Sequence, residues 1–239
     1  MATRHDRRAF LRGLGTVGAT GVAAMAPIGA AAQASPQIPA PEATPAAAPP
    51  GYTFLSLPEA AFVEAAVNQL IPADALTPSG TDCGVAVFID RQLAGAWGSG
   101  DRLYMQGPWA KGTPTQGYQF PMTPAEFFRM GIDGANAYCR KTYQKEFDRL
   151  SSEQQVQVLR GMEQGTLAIE RVPAQDFFNV LLNAAMEGFF ADPIYGGNRD
   201  KVSWKMIGFP GVIAVYSEHI KTYRNRRYDG VPTSIADLT

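Results

Sequence analysis

The sequence predicts an all-α fold, a single irregular domain of about six helices with a long aromatic-rich loop. Three observations carry that expectation: helix-capping signals recur along the chain, apolar residues repeat at spacings of three and four, and no run alternates convincingly with period two. Ser56-Leu57-Pro58-Glu59 has the spacing of a capping box with an early proline; Phe62, Ala66 and Leu70 follow on one face until Pro72 ends the helix. A second helix holds Val85, Phe88, Ile89 and Leu93. Thr123-Pro124-Ala125-Glu126 opens the third with an N-cap threonine, a first-turn proline and a glutamate at the third position. Phe128, Ile132, Ala135 and Cys139 then form one buried stripe. Ser151-Ser152-Glu153-Gln154 opens the fourth, with Val156, Leu159 and Met162 inward. Pro173 opens the fifth, whose apolar run from Phe177 through Phe190 covers more than half its circumference. Such a helix lies at the centre of a domain or offers one side to a partner. A sixth is expected over 212–223.

Two regions interrupt the helices. Gly95 to Met122 spans 28 residues with six glycines and three prolines, and carries Trp97, Tyr104, Trp109, Tyr118 and Phe120. Rings on a loop of this composition form either a contact surface or a lid folded onto the core. The second region runs from Ala191 to Asp200 and on through Trp204 to Gly211. It reads as a rigid buried turn tied by Asn198, Arg199 and Asp200, with a phosphate or sugar site as the alternative.

The N-terminus carries its own signal. Arg7-Arg8-Ala9-Phe10-Leu11-Arg12 has the twin-arginine export pattern, with Arg7, Arg8, Phe10 and Leu11 as its core. A weakly apolar Gly/Ala run follows, too short and glycine-rich for a stable span. It ends in the small-x-small cleavage site Ala32-Gln33-Ala34. Residues 1–34 are thus read as a signal for the twin-arginine translocase, residues 35–51 as an Ala/Pro-rich linker with six prolines, and 52–239 as the folded domain, located in the periplasm. Gly13-Leu14-Gly15-Thr16-Val17-Gly18 matches the dinucleotide fingerprint by letter. The basic signal region precedes it, however, and no acid occurs between Asp6 and Glu42, so the ribose hydroxyls have no carboxylate acceptor.

Cofactor and catalytic signals are sparse. There is no CxxCH or CxxC, and only two cysteines exist, Cys83 and Cys139, for which a disulfide and two free buried thiols both remain open. Past the signal the only histidine is His219, read as a helix-surface residue, so no catalytic and no metal-ligating residue is assigned and no cofactor is expected in this chain. Formal charge is −1; the first 34 residues hold four arginines and one aspartate, which leaves −4 for the remainder. That balance argues against nucleic acid or an anionic membrane surface as the ligand.

From about Phe54 to Asp229 the chain resembles subunit 3, the gamma or small subunit, of membrane-bound gluconate 2-dehydrogenase. The resemblance rests on Leu70-Ile71-Pro72-Ala73-Asp74 with Thr77-Pro78-Ser79-Gly80, on Phe88-Ile89-Asp90-Arg91, and on Gly117-Tyr118-Gln119. Above all it rests on Asp192-Pro193-Ile194-Tyr195-Gly196-Gly197-Asn198-Arg199-Asp200 with Trp204-Lys205-Met206-Ile207-Gly208-Phe209-Pro210-Gly211. It implies a non-catalytic subunit of a periplasm-facing complex held at the inner membrane. In that complex a large subunit carries FAD, and a multihaem cytochrome c subunit passes electrons on. A chain without a cofactor would then use the folded-protein route as the escort of its flavoprotein partner. Trp97, Tyr104 and Trp109, with Tyr195 and Arg199 as a second patch, are the expected partner interface. A periplasmic sugar or sugar-acid binding module is the competing reading, with Trp109, Trp204 and Asn198 to Asp200 as its stacking and hydrogen-bonding groups.

Overall fold

The computed structural model describes residues 51–238 apart from 102, 111, 114, 115 and 117. The export signal (Arg7, Arg8, Phe10, Leu11), the cleavage site (Ala32, Ala34), the glycine fingerprint and nearly all of the linker lie outside the described residues. Seven α-helices occur among the described residues: α1 (Leu57–Leu70), α2 (Val85–Ala94), α3 (Pro124–Tyr143), α4 (Ser152–Glu163), α5 (Ala174–Phe190), α6 (Val202–Ile207) and α7 (Ser217–Thr222). No strand occurs among them, only an isolated parallel bridge between Gly211 and Thr233. The chain is all-α.

The helix starts follow from the caps. At α1, α3 and α4 the capping boxes of Ser56/Glu59, Thr123/Glu126 and Ser151/Gln154 are all formed. Each satisfies two backbone donors that the first turn would otherwise leave unpaired. Helix α5 begins directly after Pro173, and α3 ends at Gln144, which adopts the left-handed conformation at φ 58°.

Helix α5 is the centre of the domain. It touches α1, α2, α3, α4 and α6, and Phe177, Leu181 and Ala185 are fully buried along it. The Phe177 ring lies 5.8 Å from Phe128, 6.2 Å from Phe62 and 6.4 Å from Phe127, centroid to centroid. Gly131 on α3 makes that packing feasible, since a Cβ there would stand 2.1 Å from the Phe177 ring. The α3 stripe of Phe128, Ile132, Ala135 and Cys139 faces this cluster.

A long-range tie closes the start of the domain onto α2. Asp90 is buried, and its carboxylate accepts hydrogen bonds from the Thr53 amide and hydroxyl and from the Phe54 and Leu55 amides, each at 2.8 Å. Burial pushes the Asp90 carboxyl up, but the four donors outweigh it and hold the group below the usual carboxylate range. Beside this tie the Arg129 guanidinium lies 4.2 Å from the centre of the Phe54 ring.

Two expectations need correction. On α4 the inward face is Gln155, Val158, Leu159 and Met162, while Val156 is only half-buried. Gln155 takes the extra place because its amide is satisfied on both sides: it donates to the Phe147 carbonyl at 3.0 Å and accepts from Gln69 at 2.7 Å. The expected helix over 212–223 shrinks to α7, because the Val212 amide donates to the Thr233 carbonyl at 2.7 Å and residues 212–216 form no helical turn. Of the two alternatives left open for Cys83 and Cys139, the structure shows two free buried thiols. Cys83 donates to the Pro78 carbonyl at 3.5 Å, and burial pushes the Cys139 thiol up to about 11.

Candidate partner interface

The segment between α5 and α6 is a turn whose backbone is determined from several sides. Asp192 starts it: Oδ1 accepts from the Ile194 amide at 3.0 Å and Oδ2 from the Ile235 amide at 2.8 Å, which ties the turn to the C-terminal region. Gly196 turns the chain at φ 104°, and Gly197 lies against α5, where a Cβ would meet the Gly188 carbonyl oxygen at 2.0 Å. Gly84, the N-cap of α2 at φ 80°, is equally close to the Gly196 carbonyl, at 2.4 Å from its own missing Cβ. Three glycines thus bring three backbones into direct contact, which side chains at these positions would prevent.

Asn198 locks the result. It is completely buried in the left-handed region; its Nδ2 donates to the Ala191 carbonyl at 2.9 Å, and its Oδ1 accepts from the Ser203 amide at 3.0 Å and hydroxyl at 2.8 Å. Asp200 and Lys201 also sit at positive φ, 56° and 57°. Lys201 is kept there by bonds to the Pro232 carbonyl and the Asp237 carboxylate. Non-glycine residues persist in this conformation only where their surroundings over-determine it. Trp204 closes the structure from behind, buried edge-on against Phe209 at 5.1 Å, with its indole N–H donating to the Phe190 carbonyl at 2.9 Å.

The expected tie through Arg199 and Asp200 is not what holds the turn. Both side chains are exposed; only the Arg199 backbone amide takes part, donating to the Cys83 carbonyl at 2.9 Å. What the rigid turn presents outward is Ile194, Tyr195 (50% exposed) and Arg199. The sequence-predicted pair Tyr195 and Arg199 is therefore brought together on one turn.

The long loop divides its aromatics. Trp97 is half-buried and packs edge-on against Phe128 at 6.3 Å, so it belongs with the core. Tyr118 and Phe120 likewise fold over Phe127, at 5.7 Å and 4.5 Å, and the Tyr118 hydroxyl donates to the Met122 carbonyl at 2.7 Å. Tyr104 (78% exposed) and Trp109 (39% exposed) remain outside. The sugar-binding constellation does not assemble as expected, because the polar atoms of Asn198 and Trp204 are spent on the protein's own backbone. His219 lies on α7 among Tyr223 and Tyr228. Among the described residues no group of three or more His, Cys, Asp or Glu side chains is placed to hold a metal ion, and no helix is long and apolar enough to cross a membrane. The sequence marks Asp90 only as part of the Phe88-Ile89-Asp90-Arg91 motif; its role as the acceptor of this tie was missed, since nothing near it in the chain marks its partners 35 to 37 residues away.

Fold and turn together define a helical domain that presents an exposed turn on over-determined backbone. The chain belongs to the gluconate 2-dehydrogenase subunit 3 family, whose model matches residues 58–211. That span runs from the first turn of α1 to the end of the Trp204 segment and includes the whole turn. Searches of curated proteins and of solved structures returned no match. Membership in this family implies a multi-subunit gluconate dehydrogenase complex.

Proposed function

We propose that this chain is the non-catalytic small subunit of a periplasm-facing, membrane-associated gluconate 2-dehydrogenase-type complex. It binds the FAD-containing large dehydrogenase subunit, which works with a multihaem cytochrome c subunit, stabilises it and escorts it through the twin-arginine translocase. The observation that carries this reading is the turn of residues 192–200: within the family-matched span, hydrogen bonds and close glycine packing are concentrated on holding Ile194, Tyr195 and Arg199 in the open. An exposed aromatic beside an arginine on rigid backbone is the composition of an association hot spot.

Tyr195→Ala tests the interface. The substitution is expected to weaken association with the flavoprotein by about 2 kcal/mol, seen as reduced flavin absorbance co-purifying with the tagged chain. The isolated subunit should keep its helical circular dichroism, because Tyr195 contributes little to the core. Undiminished co-purification would place the contact elsewhere, with Tyr104 and Trp109 the next residues to truncate.

The escort role is tested separately. Replacing Arg7 and Arg8 by lysine keeps the charge but removes the guanidinium geometry, and a receptor-read signal should not tolerate the change. Precursor and flavoprotein are both expected to accumulate in the cytoplasm. Normal periplasmic dehydrogenase activity in that variant would defeat the escort role.

A further inference from the structure

The charge of the domain is segregated. Residues 51–239 carry a formal −3, yet 205–231 hold five basic residues (Lys205, Lys221, Arg224, Arg226, Arg227) against Glu218 and Asp229, a local +3 that leaves −6 for the rest. All five basic side chains are exposed. Most of this segment lies beyond the family-matched span.

The segment is folded onto itself and onto α6. The rings of His219, Tyr223 and Tyr228 pack against one another with centroids 5.0 to 6.1 Å apart, which staples α7 to the strand of chain that returns past it. Arg226 donates to the Thr222 carbonyl and Arg227 to the Lys205 carbonyl. Gly208, at φ 71°, lets residues 227 and 228 close on the end of α6; a Cβ there would meet the Arg227 side chain at 2.6 Å. Between α6 and this return lies an open cleft of about 500 Å³, walled by Lys205 and Arg227 on one side and by Val231 and Pro232 on the other. Arg226 and Arg227 are therefore tied to folded backbone rather than carried on a free tail, and Lys221 pairs with Glu218 on α7 at 2.8 Å.

Aliphatic side chains stand out among them. Val215 is 67%, Ile220 61% and Val231 79% exposed. The segment's rings, the residue types that anchor protein partners, are largely turned toward one another. What protrudes instead is aliphatic carbon among lysine and arginine. That pairing suits a bilayer surface, where the cations meet anionic headgroups and the aliphatic groups enter the boundary below them. We infer that the surface formed by residues 205–231 docks on an anionic lipid bilayer. The net charge of the whole chain conceals this, because it sums the segment's +3 with the −6 of the remaining residues of the domain.

Vesicle sedimentation tests the assignment with the full chain, in which Arg4, Arg7, Arg8 and Arg12 are replaced by glutamine in every sample so that the N-terminal arginines do not contribute. Binding is expected to phosphatidylglycerol-containing vesicles, at least tenfold weaker to phosphatidylcholine alone, and to fall as salt is raised. The double reversal Lys221→Glu/Arg224→Glu should reduce binding by at least tenfold. Val215→Ser/Ile220→Ser, which leaves every charge in place, should also weaken it; both variants should retain the parent's circular dichroism. Absence of binding to either vesicle overturns the inference, and so does undiminished binding by the charge-reversed variant. If the parent ignores vesicles but the reversal abolishes co-purification of the flavoprotein, the surface serves an acidic protein and the lipid assignment is wrong.

Discussion

Asp90→Ala is expected to destabilise the domain by about 3 kcal/mol, because it leaves the amides of residues 53–55, including that of the buried Leu55, without their acceptor. For a domain of this size that corresponds to a fall in melting temperature of about 6–12 °C. Asp90→Asn should recover only part of the loss, since one carboxamide oxygen cannot serve donors that now use both carboxylate oxygens. The same site predicts a pH dependence. The folded-state carboxyl is held below its ordinary value, so its contribution is fully present above the unfolded pKa of about 3.9 and is lost as pH falls through the lower folded value. Urea midpoints measured at pH 7 and below pH 4 should fall more steeply for the parent than for Asp90→Asn, which has no proton to take up there. Equal acid sensitivity in the two would show that other carboxylates, such as those of Asp74 and Glu126 at their turns and caps, carry the effect.

Gly197→Ala is expected to have a comparable effect by a different route. The added methyl would lie 2.0 Å from the Gly188 carbonyl oxygen and 2.8 Å from its carbon, both backbone atoms of α5 that no rotamer change can move. Relief requires the turn to lift off the helix, at a cost of about 3 kcal/mol. Because Asn198 and Tyr195 ride on that backbone, co-purification of the flavoprotein should fall along with the thermal midpoint. Gly51→Ala is the matching control, since its Cβ would meet nothing within 4 Å. A Gly197→Ala variant as stable as the parent would mean that the close packing of α5 and the turn is not needed for the fold.

Much of the architecture was legible because its causes are local. The cap of α3 is written in four consecutive residues and its buried face in the spacing of Phe128, Ile132, Ala135 and Cys139; both depend only on helix geometry. The central place of α5 followed from its apolar circumference, which leaves a helix few other positions in a domain. The site was legible in part. Tyr195 and Arg199 were readable as a turn patch, but the roles inside that turn were not. The expected ties, Arg199 and Asp200, face solvent, while Asn198 turns both its amide oxygen and its amide nitrogen inward. Whether Trp97 would sit with Tyr104 or with the core was equally open, because a loop's composition does not say which of its rings finds Phe128.

By itself the sequence determined what depends on neighbours along the chain: the all-α class, the starts of α1, α3, α4 and α5, the stop at Pro72, and the glycine pair that only a tight turn requires. Tertiary structure decided what depends on residues far apart. It matched Asp90 to amides 35 to 37 positions earlier, set Gly84 against Gly196 and Gly197 against Gly188, kept Cys83 and Cys139 as separate thiols, and brought Arg227 onto Lys205. The division has one physical reason. Caps and periodicity are satisfied within one or two turns of helix, whereas a buried carboxylate or a backbone-to-backbone contact becomes favourable only once packing has excluded water and brought its partners within reach.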